Sequence, residues 1–260
     1  MPVLGLGTYK TPGGPVVEKA VRTALEAGYR SIDTAALYDN EKGVGRALRQ
    51  SRLGRGEVFI TTKIWNSDQG YHKTIRAFEK SRMNLDTDYV DLYLIHWPVM
   101  GEYHGTWRAM EELLEKGQVR SIGVSNFMIH HLEDLMREAS VAPMLNQFEL
   151  HPCLYQTELV SFCRDNGIAV EGWAPLMRGR LNDDPLIMEL AEKYGRTTSQ
   201  VLIRWALEHG FVTIPKSVTP ARIIENSLVF DFSISKEDVV RIDSLDRRER
   251  TGPDPDNFNF

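Results

Sequence analysis

Two periodicities alternate along this chain. Short apolar runs rich in Val, Ile, Leu and Tyr give way to longer stretches in which apolar residues recur every third or fourth position. The runs predict strands at Leu4–Tyr9, Ser31–Ala35, Val58–Ile64, Val90–Pro98, Val119–Ser125, Met144–Leu150, Ala169–Trp173 and Phe211–Lys216. The stretches between them predict helices near Pro15–Ala27, Glu41–Gln50, Tyr71–Asn84, Thr106–Lys116, Ile129–Glu138 and Gln156–Asn166. Two more follow near Pro185–Tyr194 and Thr198–Glu208, a third opens at Thr219–Pro220, and Ser235–Leu245 is the last before a tail rich in Gly, Pro, Asp and Asn from Arg247. Pro15 suits a first helical position, Gly28 a helix end, and Thr197 with Gln200 a capping box.

The run Val90–Pro98 is the clearest strand. Alternation puts Val90, Leu92, Leu94 and His96 on one face and Asp91, Tyr93, Ile95 and Trp97 on the other, and Pro98 ends the ladder. His96 therefore sits at the last inward position. It is either a core histidine with satisfied hydrogen bonds or a group at the mouth of whatever the sheet encloses.

Eight strand-then-helix repeats without a composition break predict one α/β domain over 1–260, a (β/α)8 TIM barrel. A doubly wound sheet is the alternative. It usually carries a phosphate loop after its first strand, but Gly5 and Gly7 lack the third glycine and read as a glycine-rich strand end.

Composition narrows the function classes. The 260 residues are 42% hydrophobic and 26% charged, as in soluble globular proteins. A net charge of -5 gives no reason to expect a nucleic-acid or anionic-membrane partner. No apolar run approaches the roughly 20 residues that span a bilayer. The N-terminus lacks the features of a signal peptide, so a cytoplasmic location is expected. Cys153 and Cys163 lack metal-type spacing and read as free thiols in a reducing compartment. His130 and His131 are adjacent on a helix and are expected to point apart, so no metal is expected.

Polar residues gather at strand ends, where such a barrel carries its chemistry. Asp33 ends the second strand, Lys63 the third and His96 the fourth, with Tyr38 in the loop after Asp33. A structural Asp33–Lys63 ion pair beside a core histidine is the competing account, and it leaves Tyr38 unexplained. Trp65 and Trp97 follow Lys63 and His96 and, with Tyr9 and Phe127, would wall an apolar slot; core packing competes for Phe127. His151, ending the sixth strand, is given a structural role, and Arg247–Arg250 reads as a solvated turn. Lys216 at the eighth strand end and Arg222 in the next helix flank a helix N-terminus suited to an anion, although a lone Arg222 would default to a surface residue.

The motifs D-T-A-x-x-Y-x-N-E at 33–41, T-T-K-I-W-N at 61–66, V-D-L-Y-L-I-H-W-P at 90–98, I-G-V-S-N-F at 122–127, N-Q-F-E-L-H-P at 146–152 and I-P-K-S at 214–217 resemble the aldo-keto reductases. The similarity runs from Pro2 to the tail and is closest to the branch of prostaglandin F synthase, 2,5-diketo-D-gluconate reductase and glyoxal reductase. The resemblance implies a monomeric (β/α)8 barrel that reduces small carbonyl substrates with NADPH and no metal. By resemblance, Tyr38 is the general acid, Lys63 lowers its pKa, Asp33 keeps Lys63 charged, and His96 orients the carbonyl. Ser125, Asn126 and Gln147 would hold the nicotinamide carboxamide, Trp173 would stack on the ring, and Gly7, Thr8 and Tyr9 would face it, with Asp33 nearby. Turn chemistry is the simpler account of Ser125 or Gln147 taken singly. Pro175, Leu176 and the loop to Gly179 would follow the pyrophosphate, although this chain has A-P-L-M where the family often has S-P-L-G. Lys216, Ser217, Val218, Thr219 and Arg222 would hold the 2′-phosphate, and Glu225 and Asn226 the adenine. The usual β-hairpin ahead of the first strand has no room before Met1-Pro2-Val3, so either the start is shortened or another element plugs the base. The rival reading is a non-enzymatic nucleotide-sensing subunit, because potassium-channel β subunits resemble the same superfamily.

Overall fold

The computed structural model describes residues 1–258; the last two tail positions lie outside them. Eight parallel strands stand in sequence order: β1 (Leu6–Gly7), β2 (Ser31–Asp33), β3 (Phe59–Ile64), β4 (Leu92–Ile95), β5 (Ile122–Ser125), β6 (Leu145–Glu149), β7 (Ala169–Trp173) and β8 (Val212–Thr213). The ring closes between the first and last strands. Thr213 N–H donates to Val3 O at 3.0 Å, Gly5 N–H to Thr213 O at 3.0 Å and Gly7 N–H to Pro215 O at 3.2 Å. Gly7 makes that seam possible, because a Cβ there would lie 2.7 Å from the Ile214 carbonyl oxygen. The two glycines thus serve barrel closure and not a phosphate loop.

The helices are α1 (Pro15–Glu26), α2 (Glu41–Gln50), α3 (Tyr71–Leu85), α4 (Tyr103–Glu115), α5 (Ile129–Glu138), α6 (Thr157–Asp165), α7 (Pro185–Tyr194), α8 (Thr198–Glu208), α9 (Pro220–Ser227) and α10 (Lys236–Asp243). Proline takes the first position of α1, α7 and α9, and α8 has its capping box: Gln200 N–H reaches Thr197 Oγ1 at 3.3 Å and Thr197 N–H reaches Gln200 Oε1 at 3.0 Å. Helix α4 starts at Tyr103, three residues ahead of the expected Thr106, and the strands are mostly shorter than expected, although flanking residues such as Val90 and His96 still bond their neighbours. No helix among the described residues is long and apolar enough to cross a membrane.

Strand alternation sorts the side chains of β4 as the sequence predicts, although Val90, just ahead of it and expected on the inward face, joins the large core. Tyr93 and Ile95 face the large core between sheet and helices, whereas Leu92 and Leu94 join Leu145 in a separate cluster inside the barrel, with Phe59 packed against it. Among the described residues no hairpin precedes β1. These four side chains fill the lower barrel, and an apolar rim of Met1, Val3 and Met144 is left exposed around it.

Candidate active site

The upper end of the barrel is polar. Asp33 is the last residue of β2, Lys63 the penultimate residue of β3, and His96 follows β4 directly, its N–H still bonded to Ile64 O at 3.3 Å. Tyr38 is carried by a 3-10 turn, Ala36–Tyr38, closed by its N–H on Ala35 O at 3.0 Å and ended by Asp39 in the left-handed region. Asn40 pins that turn. Its Oδ1 accepts from Thr34 Oγ1 at 2.7 Å, and its Nδ2 donates to Thr8 O at 3.0 Å and Thr11 O at 3.1 Å. The spacing from Asp33 to Asn40 is therefore that of one hydrogen-bonded loop.

Lys63 is fully buried, and its ammonium donates to Asp33 Oδ1 and Oδ2 at 2.6 and 2.7 Å and to Thr34 O at 2.9 Å. That uses all three of its donors. Its Nζ lies 5.2 Å from the Tyr38 ring centroid. The expectation that Lys63 lowers the Tyr38 pKa is corrected here. Burial, then the charge of Asp33, then Tyr9 and Glu171, push the phenol well above its ordinary 10. The Lys63 charge is already matched by Asp33, so burial decides. Tyr38 is accordingly a neutral phenol that can give up a proton only to a strongly basic oxygen. Burial, with Lys63 next, holds the His96 imidazole well below its ordinary value, so it is neutral too. His96 Nδ1 is buried without a partner among the described residues, which removes the account of His96 as a satisfied core histidine.

Aromatic rings frame the mouth. Tyr38 packs against Tyr9 at 5.1 Å and edge-on to His96 at 5.6 Å, and Trp65 stands edge-on to His96 at 5.2 Å. Trp97 stacks on Phe258 of the tail, with centroids 4.4 Å apart. Phe127 does not join this wall: it is fully buried in the core against Tyr103 and His131.

Beside the tetrad, Ser125 ends β5, Gln147 lies mid-β6 and Trp173 ends β7. Asn126, at a left-handed φ of 63°, accepts from Trp173 Nε1 at 2.9 Å and donates to His96 O at 2.9 Å and Ser125 Oγ at 3.1 Å. These residues form one connected shelf. The loop through Pro175, Leu176 and Gly179 is tightly wound, with Ala174, Met177 and Arg178 all at left-handed φ. The methionine of A-P-L-M, Met177, is fully buried, so this loop departs from the family pattern by plugging into the core. After β8, Lys216, Val218, Thr219 and Arg222 are exposed, Ser217 Oγ accepts Thr219 N–H at 3.1 Å, Glu225 accepts from Thr197 Oγ1 at 3.0 Å, and Asn226 is buried. Neither Lys216 nor Arg222 has an ion-pair partner among the described residues.

Three features were missed in the sequence. Glu171 of β7 lies fully buried inside the barrel, 2.9 Å from Gln147 Nε2. Its alternation with Ala169 and Trp173, a charge on an inward face, is the signal that could have exposed it. Glu149 of β6 is buried and accepts from His151 Nε2 at 3.3 Å, from Thr251 N–H at 2.7 Å, from the Thr251 hydroxyl and from Gly252 N–H at 3.3 Å. Burial opposes its charge, yet the bonds from His151 and Thr251 hold the carboxyl below its ordinary value. Third, the tail is fastened over the mouth. The Arg247–Arg250 run is solvated at Arg247 and Arg248, as expected, but its backbone is docked: Arg247 and Glu249 N–H both bond Cys153 O, and Arg250 lies 3.4 Å from Gln156 Oε1. The expectation that His130 and His131 point apart is corrected as well. His131 turns back to cap α5, its Nδ1 accepting Met128 N–H at 3.1 Å, and this brings the two ring centroids to 3.9 Å.

Gly252 allows the tail to pass Trp173, since a Cβ would fall 2.4 Å from the far edge of the indole. Its backbone is not in the left-handed region, so contact with Trp173 is the main obstacle to alanine. Gly252→Ala is expected to lower stability by about 1–3 kcal/mol, as overpacking does. The shift should also change the Trp173 environment. Denaturant melts and near-ultraviolet circular dichroism check both, and an unchanged melt would show that the tail yields freely.

The Aldo/keto reductase family model matches residues 3–247. The chain belongs to the aldo-keto reductase family. This aldo-keto reductase is 52% identical over 260 residues to the glyoxal reductase of Bacillus subtilis, a match covering 100% of this chain and 94% of that one. It is 48% identical over 262 residues to methylglyoxal reductase DkgA of Salmonella typhimurium, covering 99% and 94%. The solved structure of a Gox0644 mutant in complex with NADPH superimposes with a TM-score of 0.94 at 46% identity, covering 100% of this chain and 95% of the other. These relatives include the glyoxal reductase branch to which the motifs pointed, and the barrel is theirs.

Proposed function

We propose that this aldo-keto reductase reduces aldehydes and small ketones to alcohols with NADPH, and that vicinal dicarbonyls such as methylglyoxal and glyoxal are the substrate class to test first. One observation carries the reading: a buried, fully hydrogen-bonded Lys63–Asp33 pair lies beneath a neutral phenol and a neutral imidazole at one aromatic-walled mouth. The names of the relatives and the NADPH-bound neighbour support the substrate class and cofactor. The two buried free thiols support a reducing, cytoplasmic setting, and the family resemblance supports a monomer as the working description.

The residues present fit the cofactor. No donor among the described residues reaches Gln147 Oε1, and the cations Lys216 and Arg222 are unpaired. NADPH, when bound, supplies the hydride that reaches the carbonyl carbon. As charge grows on the carbonyl oxygen, that oxygen becomes basic enough to take the Tyr38 proton, which completes the alcohol. His96 Nε2 offers a hydrogen bond to the same oxygen and fixes its approach. Lys63, held by Asp33 and Thr34, lies beneath the Tyr38 ring at 5.2 Å and keeps the phenol in place during the transfer. Tyr9, Trp65 and Trp97 exclude water from the reacting carbon.

Following NADPH consumption with methylglyoxal, glyoxal and an aromatic aldehyde tests this reading. Turnover of at least one is expected. Tight NADPH binding with no carbonyl reduced would favour the nucleotide-sensing subunit instead. Cofactor choice gives a second expectation. Arg222→Ala should weaken NADPH binding about tenfold, the worth of one exposed charge-assisted contact, and leave NADH binding unchanged because NADH lacks the 2′-phosphate. Fluorescence titration of both cofactors decides it; equal losses would mean that Arg222 does not read that phosphate.

A further inference from the structure

The barrel interior holds a buried carboxyl that the reaction above leaves without a role. Glu171 is fully enclosed, and Oε2 accepts one Gln147 N–H at 2.9 Å while Asp33 Oδ2 accepts the other at 2.9 Å. An amide nitrogen has two hydrogens, so both are engaged. The Gln147 carbonyl oxygen is left on the opposite side with no donor among the described residues. Turning the amide over would aim that oxygen at two carboxyl groups, one of them the anion paired with Lys63. The two acceptors together therefore permit one orientation.

Resting on the cofactor reading above, we propose that Glu171 is a positioning residue: it locks the Gln147 amide so that its carbonyl oxygen is presented to the amide group of the nicotinamide. Asp33 alone would hold one N–H and leave the other buried and unsatisfied, which is costly. The lock is also tied to the tetrad, since one amide nitrogen bridges Glu171 and the carboxylate that holds Lys63. The titratable groups facing Glu171 are Asp33 from β2, Lys63 from β3 and the neutral Tyr38 phenol; Gln147 faces it from β6, and Val212, its register partner on β8, brings no charge. Burial, and Asp33 next, push the Glu171 carboxyl up to about 8, against the hydrogen bond from Gln147 and the charge of Lys63. The proton it then carries at neutral pH leaves Oε2 free to accept.

Two variants separate the lock from mere packing. Glu171→Gln keeps an amide oxygen for Gln147, and NADPH affinity by fluorescence titration is expected to stay within about twofold. Glu171→Leu removes the acceptor, and affinity is expected to fall about tenfold, the worth of one well-made hydrogen bond. Should Glu171→Leu fold poorly, the pair Gln147→Leu with Glu171→Leu buries no stranded polar group. That double variant should bind NADPH no more weakly than Gln147→Leu alone, because Glu171 acts only through Gln147. A further loss in the double variant would overturn the proposal, as would wild-type affinity in Glu171→Leu. A wild type that binds no NADPH would instead bring down the cofactor reading, and this proposal with it.

Melting temperature against pH gives a readout independent of cofactor. A carboxyl whose folded pKa is raised keeps its proton while the unfolded chain loses it, so wild-type stability should fall as pH rises from about 4.5 toward 8. Glu171→Gln should lack that part of the slope.

Discussion

Tyr38→Phe is expected to remove almost all turnover and to leave the fold intact. The phenol makes no hydrogen bond among the described residues, so deleting it strands no partner, and the Tyr9 and His96 ring contacts survive with Phe. With Tyr38 as the proposed general acid, the reaction would lose its proton donor. Nearby alternatives are poor: His96 is held neutral, and the Lys63 protons are all committed to Asp33 and Thr34. The fall in kcat should be roughly 10²–10⁴, the range for general-acid catalysis. NADPH affinity should move by less than about twofold, since no cofactor contact is assigned to that hydroxyl. Single-turnover reduction of methylglyoxal, with melting temperature as control, is the measurement. A kcat within about threefold of wild type would show that the proton comes from elsewhere.

Lys63→Met should damage the protein more broadly. Asp33 is 2% exposed, and without the ammonium only Gln147 Nε2 faces its carboxylate oxygens. Breaking a buried pair from one side costs about 3–5 kcal/mol. Against a typical domain stability of about 5–15 kcal/mol, that is a large fraction, so the variant should express poorly and melt early. Changing Asp33→Leu in the same chain removes the stranded charge. The double variant should recover much of the lost stability and none of the activity. If it melted no higher than Lys63→Met alone, the destabilisation would come from packing and not from the unpaired carboxylate. Urea denaturation of the three proteins makes that distinction.

The gathering of Asp33, Tyr38, Lys63 and His96 at one mouth was legible because strand period and strand end are local properties. Asp33, Lys63 and His96 each follow an alternating apolar run, and a polar group at the last inward position leaves few places to go. Tyr38 was legible through its loop, although the part played by Asn40 in holding that loop emerges only from contacts to Thr8 and Thr11. What could not be seen depends on partners far apart in the chain. Gln147 meets Asp33 across 114 positions and Thr251 meets Glu149 across 102. The tail has no periodicity, so its path over Trp173 and Trp97 is set by tertiary contact alone. The direction of the Tyr38 shift was misjudged for a related reason. The sequence displays a nearby lysine, but burial depth and the pairing of that lysine with Asp33 determine which effect wins. Likewise, helical spacing says that adjacent histidines diverge, and a capping bond at His131 reverses it.

The positive charges in this barrel live in two different dielectric worlds. Lys63 and its carboxylate are sealed from ions, with side chains 0% and 3% exposed, whereas Lys216 and Arg222 stand in solvent without protein counterions. At physiological ionic strength screening acts over about 8 Å, and it acts on the exposed pair far more than on the buried one. Added salt therefore reaches the cations that would greet a phosphate and leaves the buried Lys63–Asp33 pair almost untouched. Ionic strength becomes a dial on capture with little purchase on chemistry, so a solution change alone can separate how the enzyme collects its dinucleotide from how it uses it.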